Sequence, residues 1–226
     1  PAGIHQVMRL NAEIQGIEIA SKNAADGQSL IDTLDTSLSE VQSILLRMRE
    51  LTIRAMSDTN SDADRLALDS ELSQLELEIT RIGSTTSFGG KPVFDGNLHY
   101  LQIGPRSGNT LEVQAYTLSA STLGLTQDLT TRNNAENYLG IIDTAIEDIN
   151  EKRGAAGALS NRLDFIMSNL DNSKVNLIKS RSTIEDADFA AESMKLAKAK
   201  ILEQVAIAMI AQANARTQWI LKLLEN

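Results

Sequence analysis

The sequence contains no cysteine, only three prolines, and few aromatic residues, which make up 4% of its 226 residues. Without cysteine the chain can hold neither disulfides nor thiolate metal sites. Few prolines and few aromatic residues favour long helices over a compact mixed fold. A chain of this length can hold one or two domains and bury a core. These shortages predict a mainly helical protein.

The chain also lacks a net positive charge and a long hydrophobic run. Its formal net charge is −9, which argues against nucleic acid as a partner because that needs a concentrated positive face. From Ile201 to Ala213, ten of thirteen residues are apolar, too few for a bilayer span of roughly 20 residues. We therefore expect no membrane insertion. A helix that is apolar on most of its circumference must be covered by other protein.

Catalytic patterns are missing from the sequence. The two histidines, His5 and His99, stand far apart, and no HExxH, GxSxG or phosphate-loop pattern occurs. We therefore expect no enzyme activity, cofactor or metal. No signal peptide is visible and Pro1 is not a natural start, so we expect a fragment or a processed product.

One acidic segment superficially resembles a calcium loop, because Asp58, Asn60, Asp62 and Asp64 alternate along it. Such a loop needs glycine at its sixth position and glutamate at its twelfth. Ala63 and Asp69 stand there instead. The better interpretation is a helix start, with Ser61 as the N-cap and acids in the positive first turn.

The first segment reads as one helix from about Ile4 to Ser57. Its apolar positions alternate three and four residues apart, which is typical of a coiled-coil seam; they are Ile17, Ala20, Ala24, Gly27, Ile31, Leu34, Leu38, Val41, Leu45 and Met48. Because the first of these are small, a neighbouring element should approach closely between Ala20 and Gly27. The same spacing predicts a second helix after Ser61 that ends at Gly83.

From Ser84 to Leu125 the chain is rich in glycine, serine and threonine. The runs Leu98–Ile103 and Thr110–Tyr116 predict a β-hairpin, with Leu101, Ile103, Leu111 and Val113 on its packing face. A third helix should begin near Asn133, with Glu136 in a capping-box arrangement. Its packing face should carry six apolar residues, and two glycines should weaken its middle; these are Ile142, Ile146, Ile149, Leu163, Ile166 and Leu170, then Gly154 and Gly157.

Ser182 and Glu185 again have capping-box spacing, which predicts a joint before a final helix from roughly Asp188 to Leu224. Together these elements predict an elongated antiparallel bundle of long helices with one small hairpin region. We divide it into a bundle with hairpin at residues 1–186, the hairpin region covering about 84–125, and a C-terminal helix at 187–226.

Several motifs in order closely resemble bacterial flagellin, and the resemblance covers essentially the whole chain. Near the front they are ASKNAADGQSL at 20–30, RMREL at 47–51 and SDTNSDADR at 57–65. The family's hairpin region is matched by TTSFGGKPVFDG at 85–96 and LQIGPRSGNTLEV at 101–113, and its C-terminal signature by IEDADFAAE at 184–192.

The resemblance implies a structural subunit of the secreted, extracellular flagellar filament that assembles with itself for motility. Residues Phe189–Leu224 would then line the inner tube, whereas Gln28–Ile82 and Asn134–Lys179 would build the outer core. The residues expected to carry assembly are Phe189, Leu202, Val205, Met209, Ile220 and Leu224. A flagellar export chaperone and the cap or junction proteins are further implied partners.

Three departures from the family pattern accompany the match. The N-terminal inner-tube helix and the variable outer domains are not found, and the end NARTQWILKLLEN lacks the usual proline. On this basis we expect that the 226-residue chain alone does not grow proper filaments, and that its final helix packs on another molecule or on its own bundle.

Many flagellins are sensed by a host innate immune receptor through a face around the REL motif. The matching residues here are Arg47, Leu51 and Glu71, while Leu46 stands where the family commonly has glutamine. That change removes a hydrogen-bonding side chain, so we expect recognition weaker than for typical flagellins.

Two alternatives remain open from the sequence. A hook–filament junction protein shares the architecture and would differ in its location. A flagellin-like surface adhesin or receptor for an anionic polysaccharide would use basic residues near the end of the chain; the candidates are Lys174, Lys179, Arg181, Lys195, Lys198 and Lys200. A solvated face or a lateral contact between subunits is the simpler interpretation of these cations.

Overall fold

A computed structural model describes the backbone of residues 2–224 and the side chains of residues 3–186, 190–214 and 216. The elements in chain order are α1 (Ala2–Ala55), α2 (Asp62–Thr85), β1 (Ser87–Phe88), β2 (Lys91–Pro92), β3 (Leu98–Gln102), β4 (Thr110–Gln114) and α3 (Arg132–Leu224). The prediction of a mainly helical chain with a small β region is confirmed.

The residues form two compact units. Residues 16–173 make up the bundle unit, and residues 1–15 with 174–226 make up the terminal unit. The bundle unit contains α2, all four strands and the main hydrophobic core. The division of the chain after residue 186 stays a prediction.

The α1 seam is confirmed, because all ten predicted seam residues are buried. They face a core that includes α2 and α3 residues at the same helical spacing, such as Leu72, Ile142 and Ile149. Three-four spacing keeps one stripe of α1 turned inward, and this is why the helix buries apolar side chains from Ile14 to Ala55.

The turn between α1 and α2 is a capped helix start, as predicted. The Ser61 hydroxyl accepts the Asp64 amide hydrogen at 3.2 Å, and the Asp64 carboxylate accepts the Ser61 amide hydrogen at 2.9 Å. The Ser61 hydroxyl also donates to the Asp64 carboxylate at 2.7 Å, and this bond and then the one from the Ser61 amide hold the pKa of Asp64 below its usual range. Arg132 donates to Asp58 at 2.9 Å. Asp64 thus forms the cap of α2 with Ser61, while Asp58 forms an ion pair with Arg132.

The hairpin of β3 and β4 lies against the small residues of α1. In its antiparallel register Leu101 is opposite Leu111, and Leu111 is buried. A side chain added at Gly27 would collide with Leu101, while Asn23 Nδ2 donates to the Gln102 carbonyl at 3.0 Å. Both the packing face of the hairpin and the close approach near Gly27 are therefore confirmed.

Helix α2 does not end at Gly83, as the sequence analysis expected, but continues to Thr85. Gly83 lies inside the helix and is buried, because the backbone carbonyl of Leu118 approaches so closely that a side chain there would overlap it. Here glycine serves close packing between backbones and does not terminate the helix.

The predicted start of α3 near Asn133 is confirmed, because the helix begins at Arg132, but two further expectations about α3 are wrong. Its cap is Thr131, whose hydroxyl accepts the Asn134 amide hydrogen at 3.2 Å, not Asn133 with Glu136. The joint at Ser182 and Glu185 is also missing, since α3 continues for 93 residues. Ser182 instead donates to Asp186 within the helix at 2.7 Å, and a side chain that bonds one turn ahead does not end a helix.

Candidate functional site

The stretch of α3 from residue 190 to 214, here called the apolar segment, exposes every one of its residues. Its large apolar side chains are 52–68% exposed; they are Met194, Leu196, Ile201, Leu202, Val205, Ile207, Met209 and Ile210. Solvent-exposed apolar side chains at this density mark an interaction surface.

The apolar segment is apolar around most of its axis. At 3.6 residues per turn, its large apolar side chains point in directions that cover about two thirds of the circumference. The remaining face, about one third of the circumference, carries polar side chains such as Ser193, Lys200 and Gln204. A helix that packs on one side shows an apolar stripe about 100° wide. The apolar segment therefore needs cover from more than one direction.

The predicted assembly residues fall partly within this surface. Leu202, Val205 and Met209 are exposed on it, whereas the side chains of Phe189, Ile220 and Leu224 lie outside the described residues. The sequence analysis missed Met194 and Leu196, which precede the continuous apolar run. The signal that could have found them is helical spacing, since Met194 lies 7 residues before Ile201 and Leu196 lies 11 residues before Ile207.

A second predicted site lies between α1 and α2, where Arg47 and Glu71 do meet. The Arg47 Nε and Nη2 atoms donate to Glu71 Oε1 at 2.9 and 2.7 Å, and Nη1 donates to Glu50 at 2.7 Å. The bonds to Glu71 and then to Glu50 raise the pKa of the Arg47 guanidinium. The group presents a paired, exposed set of charges across two helices.

Leu51 does not belong to that exposed surface. It is 0% exposed and belongs to the hydrophobic core, whereas Leu46 is 53% exposed. The matching residues therefore divide into a surface pair, Arg47 and Glu71, and a core residue, Leu51. Leu46 is the apolar side chain that this surface offers to solvent.

The predicted anionic-ligand residues do not form one basic face. Lys198 and Lys200 point about 160° apart around the helix, and Lys195 pairs with Glu192 at 3.5 Å. Arg181 donates to Asn11 at 2.9 Å and lies 3.7 Å from Glu185. The two remaining candidates are Lys174, which is half-buried, and Lys179, which is exposed.

Within the described residues, no group of three or more His, Asp or Glu side chains could hold a metal ion. His99 on β3 contacts the Asp95 carboxylate at 3.2 Å, a contact that ties the hairpin to its preceding loop. No helix in that part of the chain is long and apolar enough to cross a membrane.

Two family models match this chain. One describes the bacterial flagellin N-terminal helical region and matches residues 1–99. The other describes the bacterial flagellin C-terminal helical region and matches residues 139–224. The second match includes the whole apolar segment.

Curated relatives and solved structures agree with these models. A flagellin of Halalkalibacterium halodurans is 38% identical over 228 residues, which cover 99% of this chain and 84% of the relative. A flagellin of Bacillus subtilis is 33% identical over 261 residues, which cover 99% and 86%. The crystal structure of Bacillus cereus flagellin matches with a TM-score of 0.61 at 34% identity, over 66% of this chain and 88% of that one.

A putative flagellar hook-associated protein from Vibrio parahaemolyticus has a TM-score of 0.71 over 81% of this chain and 97% of that one. Its sequence is only 15% identical, so the likeness reflects a shared fold alone.

Proposed function

This chain belongs to the bacterial flagellin family and is a structural subunit of the flagellar filament, and we propose that the apolar segment of α3 carries its assembly. The observation behind the proposal is the exposure of all large apolar side chains from Met194 to Ile210. Filament proteins of this family act in the extracellular flagellum, and we assign this chain to the same location.

The mechanism is burial of the apolar segment by neighbouring copies. Covering an exposed apolar side chain contributes on the order of 1 kcal/mol or more, so eight such residues supply a substantial driving force. Because one neighbouring helix covers only about 100° of the circumference, at least two neighbours are needed. Contacts in two directions extend an assembly into an array, whereas a single self-complementary contact closes it as a dimer.

Sedimentation velocity over a range of concentrations tests this mechanism. Val205→Asp with Met209→Asp should abolish self-association of the purified chain. A matched control is Leu66→Asp with Leu77→Asp, because these leucines of α2 are 61% exposed, much like Val205 at 52% and Met209 at 64%. The control should associate like the wild type.

Equal loss of association in both variants would contradict the assignment to the apolar segment. So would a wild-type chain that stays monomeric at the highest concentration reached. If the wild-type chain does associate, electron microscopy of the associated material distinguishes regular arrays from amorphous aggregates.

The Arg47–Glu71 surface is proposed as the face presented to a host innate immune receptor, with recognition weaker than for typical flagellins. Its support is the exposed charge pair beside exposed Leu46, which offers no hydrogen-bonding group. A receptor reporter assay should give less activation than a reference flagellin, and Arg47→Ala should lower it further. Arg81→Ala is the control, because Arg81 pairs with Glu78 within α2. Activation equal to the reference and insensitive to Arg47→Ala would exclude the proposal.

The family also suggests an export chaperone and the cap or junction proteins as partners. The apolar segment is the surface that a chaperone would need to cover before assembly, since exposed apolar area of this kind promotes non-specific association.

A further inference from the structure

A row of polar contacts runs along one flank of the α1–α3 interface in the bundle unit. Four polar residues of α1 stand seven residues apart, and each bonds to a polar residue of α3. The contacts are Gln28 to Ser160 at 2.6 Å, Asp35 to Arg153 at 2.8 Å, Gln42 to Asn150 at 2.8 Å, and Arg49 to Asp143 at 2.7 Å. We call these eight residues the polar ladder.

The charges of the polar ladder are complementary in sequence order. Along α1 they read neutral, negative, neutral, positive, and along the facing stretch of α3 they read neutral, positive, neutral, negative. Arg153 also donates to Gln42 at 2.6 Å, which links two rungs. The charged side chains are only partly exposed, at 32–45%, so solvent screens them incompletely.

The apolar seam beside the ladder repeats with the same period. On α3 the buried residues recur every seven positions; they are Ile142, Ile149, Ala156, Leu163 and Leu170. On α1 a shift of seven residues replaces Leu38 with Leu45, and both are 0% exposed. Except at Ala156, sliding one helix past the other by a heptad at these positions exchanges large apolar contacts for other large apolar contacts. Such a seam favours pairing but discriminates weakly between registers.

We propose that the polar ladder, and not the apolar seam, selects the axial register of α1 against α3. A slip of one heptad leaves Asp35 opposite Ser160 or, in the other direction, opposite Ile146, and the pair with Arg153 is lost either way. Specifying register is the best-attested role of polar groups in helical interfaces. The ladder thus determines which surfaces of α1 and α3 are presented side by side.

The test reverses the charges of the ladder on one helix only. In Asp35→Arg with Arg49→Asp, like charges face each other in the original register, and a one-heptad slip relieves both contacts by placing Ser160 and Asn150 opposite them. The cysteine-free chain can be spin-labelled specifically through Ser43→Cys and Glu136→Cys, two exposed positions outside the ladder. A one-heptad slip moves α3 by about 10 Å along α1.

We expect the main distance between the labels to increase by about 10 Å in the one-helix reversal. Adding Arg153→Asp and Asp143→Arg restores complementary charges and should restore the wild-type distance. The control Glu78→Arg with Arg81→Glu swaps a pair within α2 and should leave the distance unchanged.

An unchanged distance in the one-helix reversal would overturn the proposal, since the register would then be held by the contacts of α2 and the hairpin. If the one-helix reversal does not fold, the variant with all four ladder charges reversed tests the proposal instead. It should fold with the wild-type distance, and failure to do so would also overturn the proposal.

Discussion

Two stretches of α3 differ in whether their apolar side chains are buried or exposed. Between residues 135 and 170, α3 buries one or two apolar residues per heptad within the bundle unit, including Ile142, Ile149 and Leu163. In the apolar segment, from 190 to 214, every residue is exposed. Both stretches are helical and rich in apolar residues, so the difference lies in how those residues are distributed around the axis.

The distribution determines what can cover each stretch. A single stripe can be buried by helices of the same chain, and α1 and α2 do so with matching stripes. An apolar surface that covers about two thirds of a helix needs more neighbours than a two-helix contact supplies. The comparison teaches that the distribution of apolar residues around a helix distinguishes a segment that packs inside its own chain from one that assembles with other copies. The number of apolar residues does not distinguish them as well.

The largest expected difference between the two stretches is in amide hydrogen exchange of the monomer. Backbone bonds in the core open only with global unfolding, whereas a helix without tertiary cover opens locally. Amides between 190 and 214 should therefore exchange at least about 100-fold faster than those between 135 and 170. Exchange followed by mass spectrometry on the monomer measures this. Equal protection in the two stretches would mean that the chain covers its own apolar segment.

Truncating one leucine in each environment should give the next largest contrast. Leu38 is 0% exposed and central to the core, so Leu38→Ala should lower the free energy of unfolding by about 2–5 kcal/mol. Leu202 is 58% exposed, and Leu202→Ala should change it by no more than about 0.5 kcal/mol. Urea denaturation of the monomeric variants measures both values. A comparable loss in the two variants would erase the distinction between core and assembly surface.

Much of this contrast could be predicted from the sequence, because both signals are periodic. The seam from Ile17 to Met48 and the over-apolar run after Ile201 depend only on which residues recur at helical spacing. The wrong expectations concern residues whose role depends on a distant neighbour. Gly83 matches a helix-end signal, but the structure uses it to admit the Leu118 carbonyl.

Local capping signals were similarly ambiguous. Ser61 does cap α2, yet Ser182 has the same spacing to an acid and lies within a continuous helix. Because the backbone is helical on both sides of Ser182, its hydroxyl does not cap a helix and bonds to the Asp186 side chain. The polar ladder was missed because polar residues seven apart, such as Gln28 and Asp35, become meaningful only when their partners on α3 are known.

Two glycines allow a sharper comparison of interior and surface within the bundle unit. Gly83→Ala forces a side chain against the backbone of Leu118 and should cost about 1–3 kcal/mol, as overpacking does. Gly157 lies in α3 with open space around it, so Gly157→Ala should stabilise by about 0.5–1 kcal/mol through better helix propensity. Thermal unfolding of both variants measures the two effects. Changes of the same sign would contradict the close approach at Gly83.

The smallest expected effect compares two glutamates of α2 and depends on pH. Glu76 accepts the hydroxyl of buried Tyr138 at 2.5 Å, and burial raises the pKa of Glu76 above its ordinary 4.5. The folded state therefore binds its proton more tightly than the unfolded state does. The contribution of Glu76 to stability is fully present below pH 4.5 and is lost as the pH rises through the folded pKa. Glu76→Gln keeps an acceptor for Tyr138, so the variant should gain stability relative to the wild type as the pH rises from 4 to 7.

Glu78, two residues further along α2, provides the control with opposite sign. The hydrogen bonds from Arg81 lower the pKa of the Glu78 carboxyl, so its stabilising contribution is present above its unfolded pKa and is lost as the pH falls through the folded value. Glu78→Gln should therefore lose stability relative to the wild type over the same rise from pH 4 to 7. Urea denaturation at a series of pH values measures both differences. If the difference in unfolding free energy from the wild type changes with pH in the same direction for both variants, the prediction is contradicted. Partial burial would then not raise the pKa of Glu76 as expected.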